Sequence, residues 1–304
     1  MGPAEKRELI DYSKERHGIS IRQACKLLDT HCSVYYYRTV GRDDQPLRDE
    51  LSSLAIQHNR WGFWMMFAWL RQNDYLDNHK RVYRVYTDMK LNMRRKHKKR
   101  LPARILTPLV APDAPNMTWS MDFMHDGLID GKTFRSFNII DDFNREALCI
   151  ELDKSLTSAR VIRELSKLIQ WRGKPQRLRV DNGPEFVAYA LEKWCQEQQI
   201  ELLFIQKGKP YQNGYVERFN RTFREEMLDN YAFENLQQAR VMTRAWMWMY
   251  NNERPHSSLG YLTPRDFLVK CGKRADAQQP EDAFPTFQQD SNNKWENIFL
   301  TATG

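Results

Sequence analysis

Leu178-Arg-Val-Asp-Asn-Gly-Pro-Glu-Phe186 holds a short apolar run that stops on Asp181 and turns at Asn182-Gly183. Arg177 to Val180 reads as a strand, and Asp-Asn-Gly supplies good turn chemistry at its end. Beyond the turn, Pro184 to Gln199 reads as a helix and Ile200 to Ile205 as a further strand. Upstream, Trp119-Ser-Met-Asp-Phe-Met124 predicts a strand with Asp122 inside it. Thr133 to Asp141 and Arg145 to Leu152 predict two more, with connections short enough for a meander. Thr157 to Trp171 predicts an amphipathic helix. Downstream, Asn213-Gly214 opens a helix with Glu217 in its first turn, with thirty-five residues between it and Asp181.

Asp122, Asp181 and Glu217 thus fall in or beside three different elements of an otherwise basic chain. Two hard cations about 3.5–4 Å apart can activate an attacking oxygen and stabilise a leaving one during in-line displacement at phosphorus. Magnesium needs only one or two carboxylates besides phosphate and water oxygens, so a few acids from separate elements suffice. Without metal the cluster repels itself, and bound cations reverse that. Taken singly, each acid is also an ordinary turn residue or helix cap. Other carboxylates have structural roles open to them: Asp126 and Asp130 in a hairpin turn, Asp141 and Asp142 at a strand end, Glu185 at a helix N-terminus. Along the Glu217 helix, Arg221, Arg224 and Leu228 share one stripe with the glutamate. That stripe reads either as a solvated salt-bridge row or as a grip on a phosphodiester backbone.

At these residues the chain resembles a known family. Trp119-Ser-Met-Asp-Phe, Asp181-Asn-Gly-Pro-Glu-Phe, Asn213-Gly-Tyr-Val-Glu-Arg-Phe-Asn, Tyr250-Asn-Asn-Glu-Arg-Pro-His256 and Leu259-Gly-Tyr-Leu-Thr-Pro264 are similar to the second-frame (OrfB) transposases of the insertion-sequence-three family. The catalytic core of that family resembles retroviral integrases, and the resemblance runs from about residue 5 to about residue 270. It implies an α/β fold: a ribonuclease H-like core, with a five-stranded mixed sheet and flanking helices, preceded by all-α helix-turn-helix units. It also implies a DDE triad of Asp122, Asp181 and Glu217, acting as catalytic residues and as ligands of two Mg2+ ions, with Mn2+ able to substitute. Arg224 takes the place of the basic residue seven positions after the glutamate.

Composition agrees with a nucleic-acid protein. The chain has 304 residues, a net charge of +8 and a pI near 9.2, which favour a polyanionic partner over a membrane surface. The longest apolar stretch, Trp61 to Leu70, is too short to span a bilayer, so a bacterial cytoplasmic, nucleoid-associated protein is expected. Cys25, Cys32, Cys149, Cys195 and Cys271 are odd in number and scattered, which suits reduced thiols. His17, Cys25, His31 and Cys32 lack zinc-site spacing.

Six segments follow. Residues 1–42 read as a helix-turn-helix, with a Ser20/Gln23 capping box opening Ile21 to Leu28 and Ser33 opening a second helix; a plain helical hairpin fits as well. Its turn carries Asp29 where the family has glycine. Residues 43–93 read as a second helical, DNA-binding unit, although Trp64, Met65 and Met66 replace the family's basic residues there. Residues 94–115 form a basic, Pro-rich linker in which Arg94, Arg95, Lys96, Lys98, Lys99 and Arg100 track phosphates. Residues 116–232 hold the catalytic core, 233–270 a helix and loop completing it, and 271–304 a polar tail of disordered composition. Within the core, Lys207, Lys209, Tyr211, Asn213, Arg218, Arg221 and Arg224 are the expected DNA contacts.

The expected function is DNA transposition and integration: binding of an element's terminal inverted repeats, then metal-dependent strand cleavage and strand transfer. Double-stranded DNA, both repeats and target, is the partner, with a homo-oligomer assembled on it. The resemblance adds a possible upstream-frame product or fusion, since no sustained heptad appears at this N-terminus. Two alternatives stay open: a DNA-binding regulator with an inactive core, and a ribonuclease H-like nuclease that cleaves without joining.

Overall fold

In the computed structural model the first helix, Pro3–His17 (α1), stops at Gly18, whose left-handed φ of +64° favours glycine. The structure describes residues 1–38, 43–93, 109, 111–183, 185–206 and 210–272, which fall into the units Met1–Pro46 and Leu47–Gly304. In the first unit, the capping box forms as read. Ser20 and Gln23 exchange hydrogen bonds and open Ile21–Leu27 (α2). Asp29 then turns the chain at φ +44°, the left-handed conformation for which its short polar side chain is tolerated. The next helix, Cys32–Tyr36 (α3), is capped by the His31 ring, which accepts from the Ser33 amide. Ile10, Ala24 and Cys25 form its small core.

The second unit holds Gln45–Gln57 (α4) from Leu47 onward, then Phe63–Gln72 (α5) and His79–Asp88 (α6), the last capped by Asn78. These helices were expected to make a unit of their own. Instead their apolar faces need cover and share one core with later elements of the chain: Leu51, Leu54, Trp61 and Val85 lie in one cluster with Val216, Phe223 and Trp246.

The expected meander forms from Thr118–Gly127 (β1), Thr133–Asp141 (β2) and Ala147–Asp153 (β3), all antiparallel. Ser158–Arg172 (α7) crosses to Arg177–Val180 (β4), which pairs with β1 in parallel. Tyr189–Glu197 (α8) then leads to Glu201–Phe204 (β5), parallel to β4, so the sheet order is β3-β2-β1-β4-β5. This mixed sheet with flanking helices is the ribonuclease H-like arrangement. One face packs Trp119, Met121, Phe137, Leu178 and Val180 against α7 and α8. Burying each such large apolar side chain contributes about 1.5–3 kcal/mol.

The other face packs against Gly214–Phe223 (α9) and Leu236–Asn252 (α10), which with Pro264–Lys270 (α11) complete the unit. Between α9 and α10 the helix widens into a π-turn at Arg224–Leu228. The helix expected over 184–199 is shorter than its pattern suggested. Gly183 O accepts from Phe186 N and Val187 N, and this turn drives Phe186 into the core before α8 begins.

Candidate active site

Thr118, Trp119 and Ser120 of β1 pair with Arg177, Leu178 and Arg179 of β4. Two residues further along the same register, Asp122 lies beside Asp181, on neighbouring parallel strands roughly 4.8 Å apart. Strand alternation turns Trp119 and Met121 toward α7 and α8, so Asp122 faces the opposite layer, where α9 packs. Asn213 ends a 3-10 turn, Pro210–Asn213, and opens α9, which carries Glu217 in its first turn. One turn later, Asn220 Nδ2 donates to Asp122 Oδ2 at 2.7 Å.

The electrostatics tie the three acids together. Burial pushes Asp122 up to about 6, and the charges of Asp181 and Glu217 add to the rise. Hydrogen bonds from Phe123 N (2.8 Å to Oδ1) and from Asn220 oppose it. Glu217, at the exposed start of α9, is raised by partial desolvation. Asp181 Oδ1 accepts from Gly183 N at 3.0 Å, and a Cβ on Gly183 would meet that same oxygen at 3.0 Å. A side chain at 183 would therefore make the Asp181 carboxylate give way by a few tenths of an ångström.

Three hard oxygen donors that repel one another suit a hard divalent cation, whose charge favours all three ionised. Among the described residues, no three His, Cys, Asp or Glu side chains already stand close enough to hold a metal ion. Asp122 feels the charge of both other acids, and closing onto a cation requires the side chains to draw in.

The surrounding cations divide. Arg224 does not reach out as a phosphate grip: it donates to His125 O at 2.7 Å and pairs with Asp126 at 3.3 Å, fastening the end of α9 to β1. Arg221 pairs with Glu225 one turn on, the solvated row that its stripe also allowed. Arg218 is exposed beside Glu217. Asn213, expected as a DNA contact, is buried and donates to Met121 O at 3.3 Å, which seats the start of α9 on β1. Arg94, Arg95, Lys96, Lys98, Lys99, Arg100, Lys207 and Lys209 lie outside the described residues, as does the side chain of Tyr211.

Competing carboxylates have structural partners. Asp141 accepts from Asn116 N and Phe143 N, and Asp142 pairs with Arg179. Glu185 is not at a helix N-terminus; it pairs with Arg135 of β2, whose guanidinium lies over the Phe123 ring. The Tyr250-to-His256 motif is a clamp. Asn251 bonds both N and O of Ala147, Arg254 holds Glu226 of the π-turn through three contacts of 2.7–3.0 Å, and buried His256 meets Tyr250 O. Sequence reading missed Asn220, though its place three residues after Glu217 put it on the same face. A cavity of about 590 Å³, lined by Ile56, His58, Trp61, Met227, Met242 and Trp246, holds none of the three acids. Among the described residues, no helix is long and apolar enough to cross a membrane.

Two family profiles described as "Integrase core domain" match residues 112–210 and 198–264. The 31.7 kDa protein of insertion element IS407 from Burkholderia multivorans is 37% identical over 265 residues, 87% of this chain and 96% of that one. The 39.2 kDa protein of insertion element IS476 from Xanthomonas euvesicatoria is 37% identical over 286 residues, 94% of this chain and 82% of that one. A structure of the HTLV-2 integrase catalytic core with magnesium aligns at 23% identity, covering 50% of this chain and 96% of that chain, with a TM-score of 0.39.

Proposed function

This chain belongs to the insertion-element transposases of the insertion-sequence-three type, which carry an integrase core, and we propose that Asp122, Asp181 and Glu217 are its catalytic carboxylates. The protein is a polynucleotidyl transferase acting on DNA. The observation that carries the site assignment is the register that sets Asp122 beside Asp181, with α9 bringing Glu217 to the same face.

In the reaction, a DNA 3′-hydroxyl attacks a phosphodiester of another strand. One P–O bond forms and one breaks, and the leaving 3′-oxygen takes up a proton. Mg2+ or Mn2+ held by the three carboxylates would supply Lewis-acid activation of the attacking oxygen and stabilisation of the leaving one. The chain's own part is to orient. Phe123 N and Asn220 hold the two oxygens of Asp122, Gly183 N holds Asp181, and Arg224 and Asn213 fix both ends of α9 against β1. Arg218, exposed and next to Glu217 in sequence, is the α9 cation proposed to meet a phosphate. The basic run from Arg94 to Arg100, with Lys207, Lys209 and Tyr211, extends the DNA contacts, and residues 1–42 supply a helix-turn-helix.

The substrate proposed is the element's terminal inverted repeats together with target DNA, handled in the bacterial cytoplasm by a homo-oligomer on DNA. Incubating the protein with labelled DNA ends carrying the repeats that bracket its coding region, in Mg2+, tests this. Joined products support the reading. Cleavage without joining indicates a nuclease, and binding unaffected by Asp122→Ala with no covalent product indicates a regulator.

A further inference from the structure

We infer that Asn138 is a positioning residue for strand transfer, acting by fixing the carboxamide of Asn220, which in turn fixes the carboxylate of Asp122. The inference rests on the reading of Asp122 as catalytic. Asn138 lies in β2 directly opposite Asp122 of β1 and is wholly buried. Its neighbours Phe137, Ile139 and Ile140 are buried too, and asparagine is a poor strand former at such a place. A buried carboxamide is unfavourable there unless its polar ends are met.

Only one end is met. Asn138 Nδ2 donates to Asn220 Oδ1 at 2.7 Å, and Asn220 Nδ2 donates to Asp122 Oδ2 at 2.7 Å. Asn138 Oδ1 is buried with no partner. The direction of this relay is forced. An ionised carboxylate can only accept, so Asn220 must turn its amide toward Asp122 and its oxygen toward Asn138. Asn138 supplies the donor that keeps that oxygen in place. Rotated by half a turn, Asn220 would set its oxygen against the carboxylate and its amide against that of Asn138.

An apolar residue at 138 would suit the strand and leave no orphaned oxygen, so packing alone does not explain the asparagine. Its effect falls on Asp122, which must hold its orientation while Asp181 and Glu217 repel it. With Asn138 removed, Asn220 loses the contact that selects its orientation, and Asp122 loses a donor for part of the time.

The test uses the full chain with Asn138→Leu, Asn220→Leu and the double substitution. Mn2+ binding is measured by calorimetry without DNA, alongside thermal melting without metal and the strand-transfer rate. Asn220→Leu should weaken Mn2+ binding about tenfold or more, the scale for partners that orient a metal ligand. Asn138→Leu should weaken it by a smaller factor, with melting little changed. The double substitution should match Asn220→Leu alone, because Asn138 acts only through Asn220. Should Asn138→Leu melt early, Asn138→Val takes its place and is judged the same way. Wild-type Mn2+ affinity in the Asn138 variant, or losses that multiply in the double, overturns the inference. Asp122→Ala separates the two readings. If it retains metal binding and joining, the catalytic assignment itself fails; if it abolishes both while the Asn138 variants change neither, only the present inference fails.

Discussion

Replacing Asp122 by asparagine should stabilise the metal-free protein at neutral pH while abolishing strand transfer. Moving a carboxyl from 3.8 to about 6 favours its neutral form in the folded state by about 3 kcal/mol. A carboxamide escapes that penalty. It keeps an oxygen for Phe123 N but turns an amide against Asn220 Nδ2, which Asn138 holds in place, so one hydrogen bond worth about 1 kcal/mol is lost. The net gain is about 2 kcal/mol, or roughly 4–8 °C in melting temperature for a unit of this size. The pH dependence has a definite sign. Because the folded value lies above the unfolded one, stability from this group is fully present below 3.8 and is lost as pH rises through about 6. The advantage of the variant should therefore be largest at pH 8 and smaller by about two-thirds at pH 5, where the penalty roughly halves while the lost hydrogen bond still costs about 1 kcal/mol. Asp141 and Asp142 are also pushed up to about 6 by burial, so the wild-type curve mixes three acids. The difference between variant and wild type isolates Asp122. Differential scanning calorimetry in EDTA at both pH values measures it, and Mn2+ should reverse the order by stabilising the wild type alone. A variant no more stable than wild type at pH 8 would refute the reasoning.

Gly183→Ala places a Cβ 3.0 Å from Asp181 Oδ1 and should displace that carboxylate, lowering the strand-transfer rate about tenfold or more while melting changes little; an unchanged rate counts against Asp181. Glu226→Gln leaves Arg254 buried and unpaired and should cost about 3 kcal/mol or more in urea unfolding, most of it recovered when both residues become methionine. A loss below about 1 kcal/mol, the scale of an exposed pair, would show that the clamp is solvated. Asp29→Gly relieves a left-handed strain of about 1–2 kcal/mol, less about 0.5–1 kcal/mol for the freedom glycine loses on folding. Amide exchange in residues 21–36 should slow, and faster exchange would contradict the assigned turn.

Much of this was legible because strand alternation and acid-ended runs are local signals. Trp119 to Met124 already showed which residues face inward, and Asp181-Asn-Gly marked where β4 must end. The capping box at Ser20 and the asparagine cap at Asn78 were equally local. What escaped depends on partners distant in sequence. Arg224 shares a stripe with Glu217, yet His125 and Asp126, nearly a hundred residues earlier, capture it. Glu185 looked like a helix-cap acid until Arg135 of another strand claimed it. Asn213 looked like a loop residue facing DNA, but the close seating of α9 on β1 buries it. α11 went unread although Thr263, Pro264 and Asp266 carry a helix start: Thr263 Oγ1 accepts from Asp266 N at 3.0 Å.

The central claim is that Asp122, Asp181 and Glu217 converge on divalent cations. Anomalous diffraction from crystals soaked in Mn2+, collected for the wild type and for Asp122→Ala, tests it most directly. The account expects manganese peaks bounded by those three carboxylates in the wild type and lost in the variant. Peaks elsewhere, or none with the three side chains ordered and apart, would contradict it.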